Sequence, residues 1–291
     1  MKTEPWLTKP NRTKEVLQKY GFHFQKKFGQ NFLLDSHVLE KIIAAANIDR
    51  DDFVIEIGPG IGTLTQYLSY YAGNVTAVEI DRNLIPILEE TLEDWDNVEV
   101  ISGDIMQIDL EELIAEKSAG RKVKFVANLP YYITTPILMK LLEEKLPITS
   151  ITVMVQKEVA ERMQAKPGTK DYGALSTAVQ YYAKPEIAAN VPPNCFVPRP
   201  NVGSAVINLQ IRPAEERVQV RDEQLMFRLI KAAFGQRRKT MLNALKNDKA
   251  LPFDKESILA AMQKCGFPET IRGEALSLEE FAALADALTE K

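Results

Sequence analysis

Four short apolar runs in the first half of this chain each close on a glycine or a polar residue. Phe53-Val54-Ile55-Glu56-Ile57 runs into Gly58, and Val75-Thr76-Ala77-Val78 closes at Glu79. Val98-Glu99-Val100-Ile101 ends at Gly103-Asp104, and Val123-Lys124-Phe125-Val126-Ala127 ends at Asn128. Helical periodicity follows the first two runs, with Leu64, Tyr67 and Leu68, then Leu84, Ile85, Ile87 and Leu88. Buried strands alternating with amphipathic helices predict an α/β fold, a parallel sheet covered by helices on both faces. Ligands of such sheets lie at the carboxyl ends of the strands. Gly58, Glu79, Asp104 and Asn128 all fall at those ends, in successive units.

The pattern continues with a strand at Ile151-Thr152-Val153-Met154-Val155 and a helix beginning near Lys157. A proline-dense stretch, with Pro192, Pro193, Pro198 and Pro200, precedes the run from Ala205 to Ile211, expected to be the last strand. From Asp222 onward only helical patterns remain, over 222–234, 238–247, 256–265 and 278–290. The reading gives an N-terminal extension over 1–21, with a helix near 12–20, and a catalytic domain over 22–212. Residues 212–220 form a linker, and a small all-helical domain covers 221–291. A chain of 291 residues suits one large domain and one small one. Asp35 or Ser36 can cap a helix whose apolar face is Val38, Leu39, Ile42, Ile43 and Ala46.

Composition excludes some classes. No apolar run approaches a membrane span, and the first ten residues lack the apolar core of a signal peptide. The two cysteines, Cys195 and Cys265, have no metal-ligand spacing, so free thiols in a reducing cytoplasm and no metal are expected. A net charge of −4 argues against nucleic acid, but its distribution argues otherwise. Residues 51–120 hold sixteen acids against two bases, whereas residues 184–246 hold eleven bases against five acids. Basic surface is therefore available away from one acidic block.

The loop Gly58-Pro59-Gly60-Ile61-Gly62 narrows the ligand. A dinucleotide site wants glycine at position 63, where Thr63 stands, and a phosphate-binding P-loop wants a lysine that is absent. A nucleoside without phosphates needs only close backbone approach and a ribose acceptor, which Glu79 supplies. S-adenosylmethionine (SAM) is such a ligand, and Asp104 can accept from its adenine amino group. In Asn128-Leu129-Pro130-Tyr131, an amide oxygen and neighbouring carbonyls can accept from an amino group, while Tyr131 offers a flat face to a base. Those four residues alone also suit an ordinary strand-to-helix turn.

Glu56-Ile57-Gly58-Pro59-Gly60-Ile61-Gly62, Glu79-Ile80-Asp81, Gly103-Asp104 and Asn128-Leu129-Pro130-Tyr131 resemble the ordered motifs of Rossmann-like SAM-dependent methyltransferases. The last of them is similar to that of enzymes acting on an exocyclic adenine amino group. Phe28-Gly29-Gln30-Asn31-Phe32-Leu33 and Phe196-Val197-Pro198-Arg199-Pro200-Asn201-Val202-Gly203-Ser204 narrow the resemblance to the ribosomal RNA adenine dimethyltransferases. It covers about residues 22–270 and is strongest toward the bacterial small-subunit (16S) branch.

The resemblance implies SAM contacts from Asn31, Leu33, Gly58, Gly60, Glu79, Asp104 and Asn128. It also implies N6,N6-dimethylation of two adjacent adenines near the 3′ end of 16S rRNA in an immature small subunit, by a cytoplasmic monomer. Asn128 with the carbonyl of Leu129 or Pro130 would activate the amino nitrogen, and Tyr131 and Phe196 would hold the flipped base. A core position is the other reading of Phe196. For Asp81 the other reading is a helix cap, and Leu33 also suits plain packing. Arg199, Arg237, Arg238 and Lys239 would meet phosphates, or else form a solvated face. Three rivals stand beside this one. They are a 23S rRNA dimethyltransferase conferring antibiotic resistance, an RNA-binding assembly factor with secondary methylation, and a nicotinamide oxidoreductase.

Overall fold

The structure is a computed structural model that describes residues 4–22, 24–25 and 29–290, without the side chain of Pro10. His23 and residues 26–28, including Phe28 of the first motif, lie outside the described residues. The chain divides into two compact units, Met1–Ala160 with Pro185–Ile211, and Glu161–Lys184 with Arg212–Lys291.

Nine strands are described: β1 (Phe32–Leu33), β2 (Asp52–Ile57), β3 (Asn74–Glu79), β4 (Val98–Ser102), β5 (Lys122–Asn128), β6 (Ile148–Gln156), β7 (Ala183–Val191), β8 (Phe196–Val197) and β9 (Ser204–Ile211). Seven form one sheet in the order β4-β3-β2-β5-β6-β9-β7, and β1 pairs with β8. All six residues of β2 are buried, as the near-continuous apolar run of a central parallel strand requires. Pairings from β4 through β6 are parallel. The sheet is not parallel throughout, because β9 runs antiparallel to β6. It enters after the proline-dense loop rather than after a helical crossover, which parallel neighbours need. Strand β7 escapes the sequence reading because it carries Pro185 and little bulk beyond Ile187 and Val191, although its exposure alternates along its whole length. It is an edge strand, where a missing N–H costs no ladder bond.

Helix Ser36–Ala46 follows its predicted face. Val38, Leu39, Ile42, Ile43 and Ala46 are buried, and the Asp35 carboxylate accepts from the His37 and Val38 N–H groups. The N-terminal segment is no appendage. Helix Pro10–Lys19 starts at a proline, and Leu7 and Val16 are buried with Phe32, Ile61, Leu84 and Ile87 in one apolar cluster. Gln66 Oε1 accepts from the N–H groups of Trp6 (2.9 Å) and Leu7 (3.1 Å). Gln66 Nε2 donates to the Thr91 carbonyl. The described residues 4–21 thus belong to the unit that carries the sheet, because Leu7 and Val16 are buried there.

The second unit holds helices Ala174–Tyr182, Glu223–Gly235, Met241–Lys246, Lys255–Lys264 and Leu278–Thr289. Glu161–Lys184, which the pattern alone assigns to the catalytic domain, clusters with the C-terminal helices. Aromatic residues explain the difference. The fully buried Tyr172 donates to the Leu276 carbonyl (2.9 Å), and Tyr181 and Tyr182 donate to the Glu223 carboxylate. Among the described residues no helix is long and apolar enough to cross a membrane.

Candidate active site

From β2 the sheet grows outward through β3 to β4, and β5 then lies on the other side of β2. The order therefore reverses between β2 and β5, where an open α/β sheet leaves a crevice for ligand. The pairing of Ile57 with Ala127 brings Gly58 beside Asn128. The Gly58 N–H donates to the Val78 carbonyl (2.9 Å), and the Gly103 N–H donates to that of Glu79 (2.8 Å). Asp104, Glu79, Gly58 and Asn128 consequently stand in a row. A cleft of about 1040 Å³, open to solvent, runs along them. Its lining also includes Asn31, Leu33, Gly60, Leu129, Pro130 and Tyr131.

The glycine loop lets a ligand reach backbone. Gly58 has φ +70°, and a Cβ there would meet no protein atom within 4 Å, so the space above it within the cleft is open. At Gly60, φ is +63° and a Cβ would lie 3.0 Å from the Phe32 ring, so a side chain there would be strained and would press on that ring. Glu79, almost fully buried, accepts the Gly60 N–H at Oε2 (3.1 Å) and the Asp81 N–H at Oε1 (2.8 Å). That holds the carboxylate plane fixed, with one lone pair on each oxygen left for a diol. Burial pushes its pKa up to about 7, against the lowering effect of those N–H groups.

Asp104 Oδ1 caps its own turn by accepting the Met106 N–H (2.9 Å). Asp81 is not the cap of the following helix, whose N-cap position is Leu84. It accepts from Asn83 Nδ2 (2.9 Å) and from Gln30 Nε2 (2.8 Å), and so anchors the loop that carries Asn31.

Asn128 is held by one contact that defines its orientation. Its Nδ2 donates to the Asn31 carbonyl at 2.9 Å. A carbonyl can only accept, so the NH₂ end must face it, and Oδ1 is the end left to accept from a ligand. The Pro130 carbonyl already accepts from the Ile133 N–H (3.2 Å) and the Thr134 hydroxyl (3.1 Å). The Leu129 carbonyl has no partner among the described residues, so of the two it is the available second acceptor. The Tyr131 hydroxyl lies 2.8 Å from Ser204 Oγ, which fixes the ring from β9.

Phe196 does not line this cleft. Opposite Leu33 in the β1–β8 pair, it is buried in the cluster of Leu33, Val38, Leu39 and Ile42. The pleat aims both side chains into the core. Of the basic residues, Arg199, Arg238 and Lys239 are exposed. Arg237 is engaged within its own unit, pairing with Glu274 (2.8 Å) and donating to the Thr169 carbonyl (3.3 Å). The expected helix start at 238 falls instead at Met241, behind a Thr240 cap.

Two lining residues receive no role in the sequence reading, although Glu56 opens the glycine-loop motif. Glu56 forms part of the lining, is 1% exposed, and has an Oε2 with no partner among the described residues. Burial pushes its pKa up to about 8, against the lowering effect of the neighbouring Thr65 hydroxyl and with a smaller push from the Glu79 charge. Its signal was present in the sequence as an acid inside an apolar strand. Tyr132 is the other; nothing in its local pattern separates it from Tyr131.

The chain matches the family model described as ribosomal RNA adenine dimethylase over residues 21–270. It is 61% identical over 287 residues to Ribosomal RNA small subunit methyltransferase A of Lachnoclostridium phytofermentans, covering 98% of this chain and 99% of that protein. With the protein of the same name from Clostridioides difficile it shares 54% identity over 285 residues, 98% of each chain. Among solved structures it is similar to a dimethyladenosine transferase from Plasmodium falciparum, with 27% identity and a TM-score of 0.72 over 87% of this chain and 95% of that one. It is also similar to the 23S rRNA methyltransferase ErmE, with 25% identity and a TM-score of 0.65 over 89% of this chain and all of the other. Motifs, strand order and these matches agree: the chain belongs to the ribosomal RNA adenine dimethylase family.

Proposed function

We propose that this chain uses SAM to dimethylate the exocyclic amino groups of two adjacent adenines near the 3′ end of 16S rRNA, acting as a cytoplasmic monomer on an immature small subunit. Membership of its family makes it an rRNA adenine dimethyltransferase. The small-subunit target is supported by identities of 51–61% to proteins named for that subunit, against 25% to a 23S enzyme. The single observation that carries the chemistry is the Asn128 amide, turned by the Asn31 carbonyl so that Oδ1 is free to accept.

The residues present fit SAM. Open space above Gly58, the braced carboxylate of Glu79 and the orphaned Oε2 of Glu56 are features of a nucleoside site with a polar far end. Glu79 would hold the ribose diol, Asp104 the adenine amino group, and Asn31 and Leu33 the remainder. When bound, SAM supplies an electrophilic methyl on its sulfonium.

An adenine amino nitrogen is a poor nucleophile because its lone pair is delocalised into the ring. Asn128 Oδ1 and the Leu129 carbonyl accept its two hydrogens, which enriches the nitrogen and turns its lone pair out of the ring plane. Both groups are fixed before the base arrives, so alignment costs no reorganisation. Once methylated, the nitrogen is strongly acidic and loses its proton to water without a general base. Tyr131 offers its face to the extruded base.

The test is transfer of labelled methyl groups to small subunits lacking the modification, followed by nucleoside analysis. Dimethyladenosine in 16S rRNA is expected. Label confined to 23S rRNA, or none in either, would overturn the reading.

A further inference from the structure

Tyr131 and Tyr132 are neighbours in sequence, but the turn after β5 gives them different surroundings. Tyr131 is tied to β9 through Ser204. Tyr132 packs toward Gly29, where a Cβ would sit 3.4 Å from its Cδ1 and 3.6 Å from its Cε1, and 3.5 Å from Pro130. Gly29 has φ +58°, so the close approach of ring and loop also falls where the backbone favours glycine. Tyr132 lines the cleft yet is 58% exposed, the most exposed large apolar or aromatic residue among those described.

Tyr132 lines the same cleft as Asp104 and Glu79. Partial burial, then the carboxylates of Asp104 and Glu79, raise the Tyr132 pKa. These are the two acids assigned above to the adenine and the ribose. The Gly29 loop joins both ends of the cleft, through Gln30 to Asp81 and through the Asn31 carbonyl to Asn128.

We propose that Tyr132 is the outer wall of the nucleoside subsite, its ring covering the adenosine half of SAM while Tyr131 serves the target base. The proposal rests on the reading of this cleft as a SAM site. An aromatic face left in water at a cleft mouth gains by being covered, and an adenosine is a flat partner for it. Such a wall slows escape of the bound nucleoside, so its removal acts on cofactor release before it acts on RNA.

The test compares wild type with Tyr132→Ala, Tyr132→Phe and Glu79→Ala. It measures SAM affinity by calorimetry, release of S-adenosylhomocysteine by stopped flow, and affinity for unmethylated small subunits. Tyr132→Ala should weaken SAM binding about tenfold, the effect of losing one aromatic face against a base, and speed release accordingly. Tyr132→Phe should restore most of that affinity, because the ring and not the hydroxyl does the covering. Affinity for the small subunit should hold in both.

Unchanged SAM affinity in Tyr132→Ala, with binding lost in Glu79→Ala, would overturn the wall and leave the SAM reading intact. Loss of small-subunit affinity with SAM affinity unchanged would make Tyr132 an RNA-stacking residue and overturn it as well. Failure of wild type to bind SAM would remove the underlying reading itself. Should Tyr132→Ala lose its melting transition, Tyr132→Leu keeps apolar bulk without a flat face and carries the same comparison.

Discussion

At the scale of single residues, the Asn31–Asn128 contact changes what a substitution can report. Asn128→Ala removes the oriented acceptor, and its single-turnover rate at saturating SAM and RNA should fall on the order of 10²–10³-fold. Asn128→Asp keeps an acceptor of the same reach but places a second oxygen against the Asn31 carbonyl, now 2.9 Å from a donor. That repulsion should displace the side chain, so Asp is expected to be impaired rather than to substitute for Asn. Activity near wild type in the Asp variant would show that the tether is dispensable.

The buried acids give a pH signature. Folding raises Glu56 from the ordinary 4.5 to about 8 and Glu79 to about 7. Below the lower value both states are protonated. Between the two limits the unfolded chain has released protons that the folded protein keeps, so stability falls as pH rises. The ligand-free protein should therefore have a higher Tm at about pH 5.5 than at about pH 8.5, and Glu56→Gln should reduce that difference. A Tm difference untouched by Glu56→Gln would place its origin in other groups.

Among elements, the N-terminal segment shows how weak local patterns acquire a role. Helix Pro10–Lys19 looks like an ordinary exposed helix, yet Trp6 and Leu7, which lead into it, are pinned through Gln66, one turn into the helix that follows the glycine loop. Phe32 of the same apolar cluster blocks the space beside Gly60. Gln66→Ala leaves the buried Leu7 N–H without its acceptor and should cost about 1–3 kcal/mol, read as a shift in denaturation midpoint. The altered backing of the glycine loop should also weaken SAM binding. Helix Ser36–Ala46 was legible because cap and apolar face are local properties. Strand β7 was not, since Pro185 is tolerated only because the strand lies at the sheet edge, which no local pattern specifies.

For the molecule as a whole, the question is which basic residues serve RNA. Arg237 holds Glu274 and the Thr169 carbonyl inside the second unit, whereas Arg238 and Lys239 are exposed. Arg237→Ala should lower stability by up to about 1 kcal/mol, as a partly exposed ion pair allows, with little change in the salt dependence of RNA binding. Arg238→Ala with Lys239→Ala should flatten that dependence by up to about two units of slope and leave stability unchanged. An unchanged slope in the double variant would mean that these side chains are only solvated. Recognising Arg237 as internal needed the fold, because its partners lie 37 and 68 residues away.

The sequence by itself determined the α/β architecture, the order of the strand-end motifs and the family. These are properties of runs and spacings, and the hydrophobic period writes them locally. It also placed Gly58, Glu79, Asp104 and Asn128 at one end of the sheet, since the strands of a parallel sheet all end on the same side. Only the tertiary structure decided that Gly58 stands beside Asn128, because strand order and register depend on pairings between distant segments. It alone turned the Asn128 amide toward Asn31, buried Phe196 opposite Leu33, and seated Tyr132 against Gly29. Each of those outcomes rests on contact between segments about a hundred or more residues apart, and no local pattern encodes which side of a turn a ring will take.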